Sequence, residues 1–509
     1  MPMIELIGAS VEMKQKNLSS QRTINFILKQ LNDAGVKSPK FLAPTPGAMV
    51  QLPIGTALAE DCRGLYVASS GPSPTREPVL YGVWGSTVYR FNQSLTAAYD
   101  IGNIAGGSGS VSMTDNGFFF IVVDGSDMWK YPLLATDADA NILSAVQLPY
   151  AAGIDPPELI KPTHVGFLAQ RLIVNAATTN QWYFTDLPLP DGSPIFQDSN
   201  FYSAESSSDP CRALMVSNGS LWIYGYRSYE IWRSGGQNQD DPFSFVGGSQ
   251  SSIGIQAINS LATVNNYIFW LGSSDVGAAG VYMGNSTSAD RISTPAIEDQ
   301  IGSIKDKTEA IGWCYSEKGY MYYLLSFPTA NRTFVYECIT QTWTERLRMD
   351  QQTALWLVNP YQYGVYFNNE IYCGLIGGHS PILCRMNDEI YTDFDGIPVT
   401  RQRITQVYFE EFNRIQTQEL VVDMEVGTTP FLIGQGSDPH MQLEVSRDGG
   451  NTYGNVQKKS IGKQGNYRKI VRWNTCTTGR AFTYRLTFAD NCSCSIYSGR
   501  LNYKPCVRT

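Results

Sequence analysis

Short apolar and aromatic segments separated by turn residues recur along most of the chain. One unit has strands expected at Val165–Ala169, Arg171–Asn175 and Gln181–Thr185. Asn, Asp and Gly in the turns tolerate the positive φ that tight hairpins require. The second strand of each unit returns after about 38–53 residues, close to the period of propeller blades with four strands. The pattern predicts a β-propeller of about seven blades.

A different β pattern occupies the last part of the chain. Met441, Leu443 and Val445 alternate with Gln442 and Glu444. Alternation with a period of two gives one buried and one solvated face, as in an antiparallel sandwich. We therefore predict an all-β protein with three parts: an N-terminal arm over residues 1–60, the propeller over 61–397 and a β-sandwich-like domain over 398–509.

Two stretches depart from the strand pattern. Four apolar residues early in the chain recur at helical spacing: Ile24, Ile27, Leu28 and Leu31. They predict a helix with Ser20 as N-cap, although Thr23–Ile27 also fits a strand. A second, short helix is predicted after Thr294-Pro295 by Ile297, Ile301 and Ile304.

Composition limits the class of protein. Hydrophobic residues make up 43% and charged residues 17%. The apolar run Phe118–Val123 is far shorter than the roughly 20 residues that span a bilayer. The first residues lack the basic start and apolar core of a signal peptide. We expect a protein without a membrane-spanning segment that is made and assembled in the cytoplasm.

Charge is unevenly distributed. The net charge is −8, but residues 440–509 contain twelve Lys/Arg and three Asp/Glu, a balance of +9 that leaves −17 for the rest. Such asymmetry indicates an interaction surface, and a solvated basic face explains it equally well. Six basic residues surround one expected hairpin and form the candidate protein interface: Lys458, Lys459, Lys463, Arg468, Lys469 and Arg472.

The sharpest local motif is the segment Ser446–Tyr453, with the sequence Ser-Arg-Asp-Gly-Gly-Asn-Thr-Tyr. It resembles the Asp-box hairpin of sialidases and related propellers. In that motif the Asp and Ser side chains close the turn through backbone hydrogen bonds, and the aromatic residue packs beneath. The resemblance implies a structural hairpin carried by Ser446, Asp448, Gly450 and Tyr453, and no ligand at Asp448.

We identify no catalytic, cofactor-binding or metal-binding residues in the sequence. His164, His379 and His440 are the histidines, and none stands beside a serine or cysteine elbow. Cys492 and Cys494 are one residue apart, which is not a zinc-knuckle spacing. A sialidase would need an arginine cluster and a Tyr–Glu nucleophile pair, and no spacing singles out such a set. We expect a protein that is not an enzyme and needs no cofactor.

An ordered series of segments carries a resemblance to a known family: Arg22–Phe26, Pro44–Gly47, Gln181–Leu187, Phe201–Ser206, Leu221–Gly225, Tyr229–Trp232 and Gly319–Trp343. The series resembles the packaged-DNA stabilisation proteins of short-tailed bacteriophages, which form the tail nozzle or hub below the portal. It runs through most of the chain to about Asp393. Two features depart from the family: Leu28–Gln30 replaces a more acidic stretch, and Cys492, Cys494 and Cys506 have no counterpart there.

The resemblance implies a structural role in the virion tail, with assembly in the host cytoplasm. The expected assembly is a sixfold ring that extends the portal channel and retains packaged DNA. Its expected partners are portal or adaptor proteins, tailspikes or fibres, a tail needle or plug, and double-stranded DNA that passes through the lumen without sequence-specific contact. A carbohydrate- or receptor-binding propeller of a tail fibre is the first alternative, and a sialidase-like glycosidase is the second. The binding propeller would expose Trp182, Trp222 and Trp232 in a cleft, whereas we expect them between blades.

Overall fold

A computed structural model describes residues 3–4, 6–31, 35, 38–55, 60–68, 77–107, 109–134, 142–204, 209–235, 241–274, 279–410, 413–434 and 436–506. The strands of the N-terminal part are β1 Met3–Ile4, β2 Val11–Glu12, β3 Ser20–Ile24, β4 Phe26–Gln30, β5 Lys40–Pro44 and β6 Gly47–Pro53.

The helix predicted from Ile24 to Leu31 is wrong, because β3 and β4 occupy this segment. Asn25 separates the two strands with a φ of 57°, and its buried side chain bonds to neighbouring backbone. Phe26 and Leu28 face the sandwich core, whereas Ile27 faces the core between the last two blades of the propeller. A strand buried on both faces therefore produced the apolar spacing that we interpreted as helical.

The first four blades follow the N-terminal part in chain order. Blade 1 contains β7 Cys62–Ala68, β8 Val79–Trp84, β9 Thr87–Phe91 and β10 Ala98–Asn103. Blade 2 contains β11 Ser112–Asp115, β12 Phe119–Val123, β13 Met128–Pro132 and β14 Ser144–Ala145. Blade 3 contains β15 Val165–Leu168, β16 Arg171–Asn175, β17 Gln181–Thr185 and β18 Phe196–Ser203. Blade 4 contains β19 Ala213–Ser217, β20 Ser220–Tyr224, β21 Tyr229–Ser234 and β22 Phe243–Phe245.

The remaining blades include short additional elements. Blade 5 contains β23 Ile253–Ile255, a 3-10 turn Ile258–Ser260, β24 Ala262–Val264, β25 Tyr267–Ser274, β26 Gly280–Asn285 and β27 Ser288–Arg291. The helix α1 Pro295–Gly302 follows, as predicted, with Thr294 as its N-cap. Blade 6 contains β28 Ile311–Glu317, β29 Tyr320–Phe327, β30 Arg332–Glu337 and β31 Thr342–Glu345. After the pair β32 Leu347–Met349 and β33 Trp356–Val358, blade 7 contains β34 Tyr361–Phe367, β35 Glu370–Leu375 and β36 Ile382–Asn387.

The ring of blades closes through the N-terminal part. Strand β6 pairs antiparallel with β36 and becomes the outer strand of blade 7. The inner strand β34 of blade 7 lies against β7 of blade 1. Within the described ranges the blades number seven, which confirms the predicted propeller. The last blade includes β6, a strand that precedes the first blade in the sequence. Backbone hydrogen bonds between β6 and β36 therefore close the ring.

Large aromatic side chains fill the spaces between blades. The ring of Trp182 in blade 3 lies 5.4 Å from Trp232 in blade 4, and Trp222 lies 6.1 Å from Trp270 in blade 5. Trp182, Trp222 and Trp232 are 0%, 1% and 9% exposed. They pack between blades as expected and offer no platform for a sugar.

The C-terminal strands are β37 Arg401–Ile404, β38 Tyr408–Phe409, β39 Arg414–Met424, β40 His440–Ser446, β41 Gln457–Ser460, β42 Val471–Gly479, β43 Ala481–Phe488 and β44 Ile496–Cys506. One sheet has the order β4-β5-β44-β39-β42, and the facing strands run β3-β37-β43-β40-β41. The two faces enclose a core that includes Leu420, Met441, Trp473 and Leu486. This arrangement confirms the predicted sandwich.

The N-terminal part joins the propeller to the sandwich. Strand β3 pairs parallel with β31 of blade 6 and antiparallel with β37, so a blade and a sandwich sheet form one continuous sheet. The domain limits at residues 60 and 397 stay predictions. Strands from the segment that we expected to be an arm lie in the propeller and in both sheets of the sandwich.

In the part of the chain that the structure describes, no helix is long and apolar enough to cross a membrane.

Candidate functional site: the sandwich turn and its basic edge

The segment Ser446–Tyr453 forms a turn that its own side chains close. The Ser446 hydroxyl donates to Asp448 Oδ1 over 2.7 Å and accepts from the Gly450 amide over 2.8 Å. Asp448 accepts from the Asn451 amide at 3.0 Å and from the amide and hydroxyl of Thr452 at 2.9 and 2.6 Å. A single carboxylate thus organises the whole turn, as in an Asx-type motif.

These hydrogen bonds also set the charge of the carboxyl group. Slight burial acts to raise the pKa of Asp448, but the hydrogen bonds from Thr452, Ser446 and Asn451 outweigh it and lower the pKa to about 2. Asp448 is therefore ionised at neutral pH, with acceptor sites occupied by the turn itself.

Two glycines let the turn approach the N-terminal part. Gly449 and Gly450 have φ of 71° and 95°. A Cβ on Gly449 would lie 2.7 Å from Asn17 Oδ1, and one on Gly450 would lie 2.5 Å from Ser20 Oγ. Asn451 Nδ2 also donates to Asn17 Oδ1 over 2.9 Å. The turn is a docking point for the segment that leads into β3.

A polar cleft beside the turn contains residue types that a sialidase uses. Its lining includes Arg414, Arg447, Arg480 and Tyr453. Burial raises the pKa of Tyr453 to about 12, so its phenol is protonated at neutral pH. Arg485 stacks 4.0 Å above this ring and binds both oxygens of Glu444 at 2.5 and 2.6 Å. The carboxylate is thus engaged in an ion pair and the tyrosine is packed as a support, so this geometry favours a structural role.

The six basic residues lie at one edge of the sandwich, but not around one hairpin as predicted. Lys458 and Lys459 belong to β41, which pairs with β40, whereas Arg472 belongs to β42, which pairs with β39 in the other sheet. The connection with Lys463, Arg468 and Lys469 crosses from one sheet to the other.

The side chains of this basic edge point largely to solvent. Lys458, Lys459, Lys463, Arg468 and Arg472 are exposed, and Lys469 is half-buried, donating to Ser460. Arg472 lies 3.3 Å from Glu419. Both β41 and β42 are edge strands, and lysines on edge strands discourage unwanted strand pairing. The basic edge therefore suits either a charged partner or protection of the sheet edges.

A group of acidic residues at blade 3, opposite in charge to the basic edge, was not recognised from the sequence. The segments 150–160 and 186–198 contain Asp155, Glu158, Asp186, Asp191 and Asp198 and no Lys or Arg. The lysines next to them are Lys161, which follows the first segment, and Lys130, whose Nζ lies 3.5 Å from Ser193 Oγ. The Tyr150 amide donates to Asp198 over 2.9 Å, which joins the two segments at the outer side of the blade. In the sequence these segments show acidic residues among Leu, Ile and Pro, without Lys or Arg. The group was not recognised because its residues come from two segments that meet only in the folded chain.

The remaining candidates for chemistry are buried or dispersed. Burial lowers the pKa of His164 to about 4, so this histidine is neutral at physiological pH. The ten cysteines, all within described ranges, are free thiols. Among the described residues, no group of three His, Cys, Asp or Glu side chains is placed to hold a metal ion.

Two family models match the chain. The first, described as "Bacteriophage P22 Gp10, beta-propeller", matches residues 45–374, and the second, "Bacteriophage P22 Gp10, beta-sandwich", matches residues 400–504. The first match begins just before β6, the strand that closes the propeller. The chain belongs to the bacteriophage P22 Gp10 family. This family consists of structural phage tail proteins that stabilise packaged DNA.

Other comparisons add little to the Gp10 assignment. No curated protein sequence matches the chain. One similar solved structure is the exo-beta-1,3-galactanase from Phanerochaete chrysosporium, with 10% identity, a TM-score of 0.29, and coverage of 79% of this chain and 98% of that one. Another is the N-terminal domain of Nup159, with 10% identity, a TM-score of 0.37, and coverage of 72% and 99%. TM-scores this low carry no argument, so the galactanase likeness does not make this Gp10-family chain a glycosidase.

Proposed function

We propose that the chain forms a nozzle or hub ring in the tail of a short-tailed phage. The ring extends the portal channel, retains packaged DNA and anchors other tail proteins. The observation that carries this proposal is the match of both modules to the Gp10 family in their order along the chain. The expected partners are further copies in a sixfold ring, portal or adaptor proteins, tailspikes or fibres, and a needle or plug.

The construction of the fold suits a joint that is loaded by DNA pressure. A propeller that closes on itself leaves few free edges and deforms little. The continuous sheet from blade 6 through β3 into β37 couples the propeller to the sandwich by backbone hydrogen bonds. A force on one module is therefore transmitted to the other through a sheet and not through a flexible linker.

In this proposal DNA passes through the lumen of the ring and not through the propeller axis. The axial cavity is lined by residues of the inner strands, among them Gly64, Met113, Met215 and Gly312, and has a volume of about 180 Å³. A cavity of this volume is far narrower than a DNA duplex, whose major groove alone is about 12 Å wide. Contact with DNA would be non-specific, and no enzymatic step is part of the role.

Particles of the same phage assembled without this chain provide the test. Purified protein added to such heads should bind at the portal vertex and raise the fraction of particles that keep their DNA. An unrelated propeller of similar size serves as control. Failure of the protein to bind these heads, or binding without any effect on DNA retention, would reject the proposed role.

A further inference from the structure

The acidic edge of blade 3 is also apolar. We define it by the segments 150–160 and 186–198, which carry the five carboxylates named above. Six large apolar side chains in these segments are 37–48% exposed: Tyr150, Ile154, Leu159, Leu187, Leu189 and Ile195. The backbone bridge between Tyr150 and Leu159 lies within the first segment, and the bond from the Tyr150 amide to Asp198 joins the two segments. Contiguous exposed apolar side chains with a charged rim are typical of a protein contact surface.

The basic edge of the sandwich has the same construction with the opposite charge. Residues 456–472 carry six Lys or Arg and no Asp or Glu. Tyr467 and Ile470 are 70% and 60% exposed there, and Leu432 and Ile433 of the adjacent loop are 78% and 88% exposed. The two loops are in contact, because the Gly465 amide donates to the Gly427 carbonyl over 3.2 Å and the Gly427 amide to the Ile461 carbonyl over 3.3 Å.

The two surfaces lie at opposite ends of the molecule. The sandwich joins the propeller at blade 6 through β31 and β3. Blades 4 and 5 separate blade 3 from blade 6 on one side of the ring, and blades 1 and 2 separate it from blade 7 on the other, so blade 3 lies opposite the junction. In the sandwich, β41 is the last strand of the series β31-β3-β37-β43-β40-β41. At about 4.8 Å per strand it lies roughly 24 Å beyond the propeller edge.

We propose that the basic edge of one copy docks on the acidic edge of blade 3 of the next copy. This inference rests on the proposed ring. Because the two surfaces are at opposite ends, one chain cannot pair its own, whereas successive copies pair them head to tail. Such heterologous contacts generate a closed ring when the rotation between copies closes. Opposite charges steer the encounter of the two copies, and burial of the apolar side chains stabilises the contact.

A second copy accounts for both surfaces with one contact. Nucleic acid would be attracted to the basic edge but repelled by the acidic one. A different partner for each surface would need two unrelated proteins that happen to have complementary charges. Head-to-tail docking needs only one type of interface. It predicts that the binding lost by reversing the charges of one surface is recovered only when the charges of the other surface are reversed as well.

Two charge-reversed variants test this pairing on heads that lack the chain. The basic-reversed variant carries Lys458→Glu, Lys459→Glu and Lys463→Glu, and the acid-reversed variant carries Asp155→Lys, Glu158→Lys and Asp191→Lys. A control with the same number of reversals elsewhere carries Lys14→Glu, Lys16→Glu and Lys305→Glu. Circular dichroism and thermal unfolding first establish that each is folded. The readout is the protein concentration that half-saturates the heads, with the bound copies counted by quantitative mass spectrometry.

Each variant alone should need at least about tenfold more protein than the wild type, because like charges would face each other. The control should bind as the wild type does. A one-to-one mixture of the two variants should recover binding, since each supplies the charge that the other lacks, in alternating order around the ring. Wild-type-like binding by either folded variant, or no recovery in the mixture, would overturn the pairing. Failure of the wild type itself to bind would instead reject the proposed ring, so the two failures are distinguishable.

Discussion

Arg22 and Glu345 form a bidentate ion pair where the N-terminal strand β3 meets blade 6. Arg22 Nε donates to Glu345 Oε1 over 2.8 Å, and Nη2 donates to Oε2 over 2.6 Å. Arg332 of β30 donates to the same carboxylate over 2.8 Å. The side chain of Glu345 is fully buried. This carboxylate thus holds β3, the strand that links propeller and sandwich, against the propeller.

Replacing Glu345 with Gln should destabilise the protein by about 3 kcal/mol. The substitution removes the buried anion of this network, and removing one partner of a buried ion pair is strongly destabilising. Glu12 Oε2 stays 3.4 Å from Arg22 and 3.7 Å from Arg332 and offsets part of the loss. Lys318→Met is the control, because the Lys318–Asp388 pair is exposed and should contribute less than about 1 kcal/mol. Urea unfolding of both variants measures the difference. Equal losses in the two would show that the buried pair does not fasten the junction.

The same carboxylate predicts a dependence of stability on pH. Burial acts to raise the pKa of Glu345, but the Arg22 and Arg332 charges outweigh it and hold the pKa below its usual value. Its contribution is fully present above the unfolded pKa of about 4.3 and is lost as the pH falls through the lower folded pKa. The stability gap between wild type and Glu345→Gln should therefore shrink below about pH 4. A gap that stays constant from pH 7 to pH 3, measured by urea unfolding, would contradict this assignment.

Asn25 should be among the most sensitive positions of the N-terminal part. Its Nδ2 donates to the carbonyls of Leu347 and Thr400 over 2.7 Å each, and its Oδ1 accepts from the Leu347 amide over 3.0 Å. Asn25→Ala removes these buried bonds and also leaves an alanine at positive φ, which should cost about 3 kcal/mol or more. Asn25→Gly should cost less, because glycine accepts that φ.

Asn218 provides the control for the conformational part of this effect. It has a φ of 49° in an exposed hairpin turn. Asn218→Ala should lose only the preference for positive φ, about 1 kcal/mol. Chemical unfolding of the three variants compares them directly. A loss at Asn25→Ala no larger than at Asn218→Ala would mean that the bridging hydrogen bonds contribute nothing net.

Asp448→Ala should lower the free energy of unfolding by about 1–2 kcal/mol. On a glycan array the variant should give the same signals as the wild type. The side chain is exposed, so the loss reflects the turn hydrogen bonds to Ser446, Asn451 and Thr452 and not a buried charge. Asp306→Ala, in an exposed turn where the carboxylate bonds only within its own loop to Thr308, should change stability within error. Unchanged stability of Asp448→Ala together with lost binding on a glycan array would make the turn a ligand site.

The sequence predicted the parts of the fold that depend on local patterns. Alternation such as Met441–Val445 determines which face of a strand is buried, and Asn-Gly turns determine where hairpins end, so blades and sandwich strands were accessible. The partners of the N-terminal strands were not, because β3 pairs with β31 and β37 more than 300 residues away. The residue pattern of a strand does not determine which other strand it pairs with. The segment from Ile24 to Leu31 was predicted as a helix because a strand with both faces buried lacks the usual alternation of apolar and polar residues.

The candidate site was only partly accessible from the sequence. The residues of the Asp-box turn form a contiguous motif, and Ser446, Asp448, Gly450 and Tyr453 lie together in the structure. The basic edge was recognised from composition, but its position across two sheets depends on which strands Lys458 and Arg472 join. The acidic edge combines two segments more than 25 residues apart, so the fold was needed to see it.

A localised reconstruction of the tail in intact virions tests the central claim most directly. We predict that this chain occupies a ring directly below the portal and adaptor, with the propeller and sandwich of successive copies in lateral contact and DNA in the lumen of the ring. A chain located instead at the end of a fibre, away from the channel, would contradict the nozzle role and favour the receptor-binding alternative.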